Sequence, residues 1–392
     1  MTLQSSIAAS ALSRALAALA AATAVIVATE FIVVGLLPVL ARDLAISPAV
    51  AGHLVGAFAL SASLLGPPLT IAAAAIAPRT ILTATLGLYA ATDLAAVLWP
   101  DYSVMLTMRI VQGAALPVFV SVGAAAVTTL APPARRGRVL ALANTGFAVG
   151  IVAALPAGVA LAERGQWTPS FVALAAVSLA AAVLLLAVFP ERRPEAPRAS
   201  AAARLLRAPA FQLQLALSVA VFVAMFSAYT YISLWLAEVA GLDTGGIALA
   251  LVGFGAAGVL GNTAAAWIAD RGPLRATAVA VTALVLAVLG LSLAATPVLR
   301  LVLFVAWGIF HTACVALCQV RVSFAGREAP AFAMAMNISA ANLGIALGAV
   351  AGGCAVERWG VSAIGWPGLA MLPLLLGLAL AIRTIGPRRS FG

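Results

Sequence analysis

Three ionisable side chains stand inside long apolar stretches of the sequence. Glu30 lies in TEFIVVGLLPVLA, Asp93 in LYAATDLAAVLW and Arg109 in VMLTMRIVQGAAL. A charge surrounded by an apolar solvent is costly and usually serves a function, such as proton transfer. We expect Glu30 to carry a proton, with a structural hydrogen bond as the alternative. Arg109 cannot give up its proton in practice, so it needs a carboxylate, backbone carbonyls or water close by, and a structural anchor is the alternative to a functional role. Asp93 can reach the depth of Arg109, about 12 Å from the same end of the two runs, and we expect a structural ion pair there, with proton coupling as the alternative.

Further polar side chains fall within the apolar stretches. We expect them to line a substrate cavity: Gln112, His311, Tyr229, Tyr231 and Asn337. Their alternative role is to pack or hydrogen-bond between helices, which is the usual role of polar groups inside a bilayer. For His311 that alternative is a neutral, hydrogen-bonded imidazole.

Glycines recur at intervals of four or eight residues in two of the apolar stretches. They are Gly146, Gly150 and Gly158 in one stretch, and Gly344 and Gly348 in the other. Small residues at this spacing allow two helix backbones to approach closely. We expect these glycines to pack at the interface between the two halves of the molecule.

The elements that must position these groups are membrane-spanning helices. The chain has 392 residues, of which 64% are hydrophobic and 9% are charged. A soluble domain carries about 25% charged residues, so lipid must cover this surface. Apolar runs long enough to cross a bilayer as helices occur at 18–40, 51–74, 80–99, 103–130, 139–162, 169–189, 210–238, 246–267, 276–295, 299–322, 330–356 and 364–384. The sequence therefore predicts an all-α protein with twelve transmembrane helices.

The basic residues, all of them arginine, indicate the orientation of these spans. With the N-terminus in the cytoplasm, seventeen arginines fall in cytoplasmic segments and four in outer loops. Such an excess marks the cytoplasmic side, so we read the net charge of +10 as topology and not as a nucleic-acid surface. Both termini are expected in the cytoplasm, with the protein in the inner membrane of a bacterium.

The sequence divides into two similar halves. The polar segment 190–209 separates six predicted spans in residues 1–189 from six in residues 210–392, and we interpret it as a cytoplasmic linker between two six-helix bundles. ANTGFAVG at 143–150 is matched by ANLGIALG at 341–348, and Gln112-Gly113 by Trp307-Gly308. Paired six-helix repeats around a central site are a known construction of transporters.

Several motifs along the whole chain resemble the major facilitator superfamily, and within it the bacterial drug:proton antiporters. They include RIVQG at 109–113, TGFAVGIVAALPAG at 145–158 and GNTAAAWIADRGPLR at 261–275. The resemblance implies a place for Arg109 in the proton path, and a cytoplasmic gate loop formed by Asp270, Arg271 and Arg275. The equivalent loop of the first half reads AAAAIAPRT at 72–80 and lacks the acid, which departs from the family pattern.

We therefore expect a proton-coupled exporter of a small organic molecule, such as a drug, sugar or nucleoside. An uptake symporter is the alternative within transport, and a non-transporting membrane sensor is the alternative from another class. The sequence offers no phosphate-binding loop, so ATP is not expected as the energy source. It offers no catalytic or metal-binding constellation either, and we expect a monomer that is not an enzyme and that needs neither cofactor nor metal.

Overall fold

The computed structural model describes residues 3–73, 75–131, 136–162, 166–190, 204–269, 272–294 and 296–385. These ranges are helical and contain no strand. The first half holds α1 (Leu3–Asp43), α2 (Pro48–Ala73), α3 (Pro78–Leu98), α4 (Tyr102–Leu130), α5 (Arg136–Leu161) and α6 (Thr168–Val188). The second half holds α7 (Pro209–Tyr229), α8 (Ile232–Glu238), α9 (Thr244–Ala269), α10 (Pro273–Leu293), α11 (Pro297–Ala325), α12 (Pro330–Trp359) and α13 (Trp366–Ile385), with a 3₁₀ turn at Val361–Ala363.

Eleven segments in the described ranges are long and apolar enough to cross a membrane. Helix α5, with 26 residues, occupies the position of the remaining predicted span. Large apolar side chains such as Leu249, Ile71 and Trp267 are exposed by 73%, 77% and 76% on the outer surface of the helices. Lipid is the solvent that such a surface requires, and the predicted all-α membrane fold is confirmed.

Proline and short polar side chains set several helix ends. Proline occupies the first turn of α3, α7, α10, α11 and α12, where its missing N–H leaves no hydrogen bond unmade. Asp101 caps α4 by accepting from the backbone N–H of Ser103 at 2.8 Å. Gly360 ends α12 with a φ of 82°, which favours glycine.

The seventh span is broken, although its sequence predicts one continuous helix over 210–238. Helix α7 ends at Tyr229 and α8 begins at Ile232. The intervening turn places Tyr231 against Gly52 of α2 and Gly353 of α12, where a Cβ on either glycine would meet the phenol oxygen. The Tyr231 hydroxyl donates to the main-chain carbonyl of Ala349 at 2.9 Å. The break in the helix therefore allows the large Tyr231 side chain to pack between the two halves.

The same helix pairs pack together in both halves. Helix α1 packs on α5 and α2 on α4, while α7 packs on α12 and α9 on α11. Gly113 of α4 lies against the main-chain carbonyl of Phe58, and Gly308 of α11 lies against that of Phe254. The short internal matches in the sequence thus correspond to equivalent contacts in the fold.

Among the described residues, the two halves share an apolar core at one end of the molecule. Phe31, Leu37 and Leu40 of α1 belong to the same core cluster as Tyr231 and Trp235 of the seventh span. At the opposite end, one cluster is made of first-half residues such as Leu19 and Phe189, and another of second-half residues such as Phe211 and Val322. In the part of the chain that the structure describes, the halves are therefore sealed together at the end that contains Asp43, and no core cluster joins them at the other end.

Candidate functional site

The guanidinium of Arg109 binds main-chain carbonyls of two neighbouring helices. It donates to the carbonyl oxygens of Thr29 and Glu30 on α1, each at 2.7 Å. A longer bond of 3.4 Å reaches the carbonyl of Leu54 on α2, and the guanidinium lies 4.3 Å above the Phe58 ring. Arg109 is 1% exposed. A buried guanidinium that cannot lose its proton is thus satisfied mainly by backbone dipoles.

Gln112 stands between Arg109 and Asp93. Its amide oxygen accepts from Arg109 at 3.1 Å, while its amide nitrogen donates to Asp93 Oδ1 at 2.7 Å and to Thr92 Oγ1 at 2.9 Å. The Tyr89 hydroxyl donates to the main-chain carbonyl of Gln112 at 2.9 Å. The expected direct ion pair between Asp93 and Arg109 is wrong, because Gln112 separates the two charged groups.

Asp93 is buried but only half satisfied. Asp93 is 0% exposed, and its Oδ2 atom has no hydrogen-bond partner in the described part of the chain. The orphaned oxygen is notable because buried polar atoms nearly always have a partner. Helix α3 therefore contributes a carboxyl that is connected to α1 through Gln112 and Arg109.

Glu30 lies about two-thirds of the way along α1, at the junction of the two halves. The helix continues through Pro38 to Asp43, so Glu30 lies about 20 Å from the end of α1. Glu30 is 7% exposed, and its carboxyl accepts no hydrogen bond from any residue in the described ranges. Arg109 binds the main-chain carbonyl of Glu30 and forms no ion pair with its carboxylate.

Tyr229 and His311 belong to an aromatic cluster of the second half. Their ring centroids are 4.4 Å apart with an interplanar angle of 32°. Phe226 and Phe254 each lie 5.6 Å from the imidazole. Phe31 of the first half extends this cluster across the interface, 6.0 Å from Phe226 and 6.3 Å from Tyr229.

Tyr231 and Asn337 occupy different surroundings from this cluster. Tyr231 is wedged between α2 and α12, as described above. The amide oxygen of Asn337 accepts from the Ser218 hydroxyl at 3.0 Å. The structure therefore places Tyr229 and His311 together and puts Tyr231 and Asn337 elsewhere.

Arg321, one of the seventeen arginines assigned from the sequence to cytoplasmic segments, is instead a buried cation. It is 0% exposed within α11. Its guanidinium donates to the main-chain carbonyl of Gln214 at 2.9 Å, to the amide oxygen of Gln214, and to Ser218 Oγ at 2.9 Å. Its Nε has no partner in the described ranges. The available signal was its position inside the apolar run 299–322, one turn after Cys318.

The repeated glycines pack within each half and not between the halves. A Cβ on Gly150 would lie 2.7 Å from the carbonyl oxygen of Ala24 and 2.8 Å from Val27 Cβ, both on α1. A Cβ on Gly348 would lie 2.9 Å from the carbonyl oxygen of Val223 on α7. The expected close helix packing is found, but at a different interface, because these glycines lie on the faces of α5 and α12 that contact their own half. The other members of the set, Gly146, Gly158 and Gly344, approach Ala20, Ile32 and Phe222 in the same way.

The expected gate loop is described only in part. Asp270 and Arg271 lie outside the described residues. Arg275 is exposed in the first turn of α10. The geometry of this loop as a gate therefore stays a prediction.

Comparison with known proteins identifies the class. A model of the Major Facilitator Superfamily matches residues 19–329, most of the chain, and the chain belongs to that family. The uncharacterized MFS-type transporter YtbD of Bacillus subtilis (strain 168) is 29% identical over 366 residues, which cover 91% of this chain and 92% of that protein.

Solved structures of this class have the same fold. A bacterial homologue of the human lysosomal transporter Spinster, in an inward-facing and unoccupied conformation, has a TM-score of 0.74 and 18% identity, covering 95% of this chain and 97% of that chain. The nucleoside transporter NupG has a TM-score of 0.73 and 14% identity, covering 95% of this chain and 100% of that chain. The protein is therefore a multi-pass membrane transporter of the major facilitator type.

Proposed function

We propose that this transporter is a proton-coupled exporter of small organic molecules. The observation that carries the proposal is the Glu30 carboxyl, which is buried within the first membrane-spanning segment at the junction of the halves. No described residue holds it by a hydrogen bond or an ion pair. A buried acid that is not committed to a structural partner can take up and release a proton during the transport cycle.

Alternating access supplies the coupling. We assign residues 1–189 and 210–392 to two bundles that rock about their interface, joined by the segment 190–209. Glu30 would meet water in one conformation and apolar packing in the other, so its affinity for a proton would differ between the two. A ligand shifts a conformational equilibrium only through such a difference in affinity, and here the proton is the ligand.

Arg109 would connect this carboxyl to the rest of the first half. Its hydrogen bonds hold the α1 backbone at the residue that carries the acid, while Gln112 links Arg109 to the half-satisfied Asp93. We propose that Asp93 is a second group that can hold a proton. Loss or gain of a proton at Glu30 or Asp93 would change the electrostatic field at the guanidinium of Arg109. The hydrogen bonds between the helices that meet at Arg109 would change in strength as a result.

The orientation proposed for the protein places both termini in the cytoplasm of a bacterium. Arg321 is buried and leaves the count of cytoplasmic arginines, which falls from seventeen to sixteen, against four in the outer loops. The excess of arginines on the cytoplasmic side therefore remains. With this orientation the sealed end faces outward and the separated end faces the cytoplasm. We propose that the protein acts as a monomer in the inner membrane.

A flux assay in everted membrane vesicles tests the proposal. The panel consists of ethidium, chloramphenicol, inosine and arabinose, with a pH gradient imposed across the vesicle membrane. An exporter accumulates its substrate inside everted vesicles when the lumen is acidic, and collapse of the gradient releases it. Accumulation in right-side-out vesicles alone would instead indicate an uptake symporter, and gradient-independent equilibration would exclude coupling.

A further inference from the structure

A group of aromatic rings meets at the junction of the halves, next to the proposed coupling residue. Four of the rings belong to the second half: Phe226, Tyr229, Phe254 and His311. Phe31, the residue that follows Glu30 in α1, is the first-half member. We call these five side chains the ring cluster.

The contact of Phe31 with the ring cluster crosses between the halves. Phe31 belongs to α1, whereas Phe226 and Tyr229 belong to α7. In the proposed rocking motion, α1 would separate from α7, and Phe31 would leave its tilted contact with Phe226 and its edge-to-face contact with Tyr229. An aromatic face that is exposed at the centre of a transporter is best covered by another flat ring, because stacked and edge-to-face pairs are more favourable than simple apolar contact.

The ring cluster also contains a buried polar atom without a partner. His311 is 7% exposed, and its buried Nδ1 has no hydrogen-bond partner in the described ranges. Glu30 is not a member of the ring cluster but precedes Phe31 in α1, and its carboxyl accepts no hydrogen bond from a described residue. A buried polar atom without a partner is costly, so a ligand that supplies one would bind more tightly for it.

We propose that the ring cluster binds the substrate, and that the substrate is a planar heteroaromatic compound carrying an N–H donor. Its ring takes the place of Phe31 against Phe226 and Tyr229, and its polar edge lies toward His311 and Glu30. This assignment rests on the proposed transport function but not on the direction of transport or on the coupling ion. It names a class of compound and excludes polyols, which have no flat face.

Binding to the purified full-length protein in detergent, without a pH gradient, tests the proposal. Thermal stabilisation gives the affinity for three groups of compounds. The first group has an amino-substituted planar ring (proflavine, 9-methyladenine), the second has the same rings without any N–H donor (acridine, 9-methylpurine), and the third is arabinose. Proflavine or 9-methyladenine should stabilise the protein in a saturable way, acridine and 9-methylpurine should bind more weakly, and arabinose should have no effect.

Variants of the cluster separate binding from folding. Tyr229→Leu removes one stacking ring and should weaken binding of the stabilising compound about 2- to 12-fold. Tyr229→Phe keeps the ring and should bind as wild type does. His311→Leu should abolish the preference for the amino-substituted ring, whereas His311→Asn should retain part of it. Trp267→Leu is the matched control, because Trp267 is an aromatic residue exposed by 76% on the outer surface.

The proposal is overturned if arabinose alone stabilises the protein, if no ring compound does, or if Tyr229→Leu and His311→Leu bind every compound as wild type does. Because the assay uses no gradient, such a result would leave the coupling role of Glu30 standing. Conversely, the wild-type protein could bind the ring compounds and yet show no gradient-driven flux. That result would support the proposed substrate site and contradict the proposed proton coupling.

Discussion

Arg109 donates a hydrogen bond of 2.7 Å to the main-chain carbonyl of Glu30 and leaves the carboxyl of that residue unbound. The arginine therefore fixes the position of the acid without neutralising it. A direct ion pair would hold the carboxylate in its charged form and oppose proton uptake. The backbone contact keeps a positive charge nearby while the carboxyl stays available for a proton.

Gln112 should couple the stability of α3 to that of α4. Gln112→Leu leaves Arg109 and Asp93 each without one hydrogen bond, and we expect it to cost about 1–3 kcal/mol. A double-mutant cycle with Asp93→Leu measures the interaction. In thermal unfolding of the detergent-solubilised protein, the double variant should lose less unfolding free energy than the sum of the two single losses, by about 0.5–3 kcal/mol. Strict additivity would show that the bridge between the helices contributes nothing.

The glycines of α5 and α12 should be required for assembly of each half. Gly150→Ala and Gly348→Ala place a methyl group within 3 Å of main-chain atoms of α1 and α7, so we expect each to destabilise the protein by about 1–3 kcal/mol. Gly87→Ala is the matched control, since a Cβ at Gly87 would have nothing within 4 Å. Melting temperatures equal to that of the control would contradict the close approach.

Arg321 should stabilise the packing of α11 against α7. Arg321→Leu leaves the amide oxygen of Gln214 without its charged donor, so we expect a lower melting temperature. Adding Gln214→Leu removes the amide that has lost its donor, so the double variant should regain part of the lost melting temperature. Thermal unfolding of the two variants and wild type checks this. If the double variant is as unstable as Arg321→Leu alone, the hydrogen bonds of Arg321 are not the source of the effect.

The arginine bias predicts the topology directly. Reporter fusions after residue 200 and at the C-terminus should both give a cytoplasmic signal, and a fusion in the loop after Asp43 should give a periplasmic one. A periplasmic signal at either of the first two sites would contradict the proposed arrangement of spans.

The sequence was sufficient for the spans but not for their lateral contacts. Apart from the start of α1 at Leu3 and the break between α7 and α8, the apolar runs begin and end within about three residues of the helices, because the hydrocarbon thickness sets the length of each run. Depth along a helix also follows from the sequence, which is why Asp93 and Arg109 were matched correctly. Whether two side chains meet depends on the rotation of each helix about its axis. That rotation placed Gln112 between them and turned Gly150 toward α1.

The break in the seventh span and the burial of Arg321 were missed for a related reason. No proline marks the turn at Tyr231, whose position depends on the space left by Gly52 and Gly353 in other helices. An arginine near a helix end normally extends to water, and only the neighbouring helix, with Gln214 and Ser218, shows that Arg321 does not. Both features are set by tertiary contacts between residues about a hundred or more positions apart.

The most direct test of the account is gradient-driven flux through Glu30→Gln. Glutamine keeps the shape of the protonated acid but cannot release a proton. The variant should still bind substrate and exchange it across the membrane, yet fail to accumulate it when a pH gradient is imposed. Glu328→Gln, a change at an exposed loop position, is the control and should accumulate substrate normally. Accumulation by Glu30→Gln equal to that of wild type would show that Glu30 is structural and would contradict the proposed coupling.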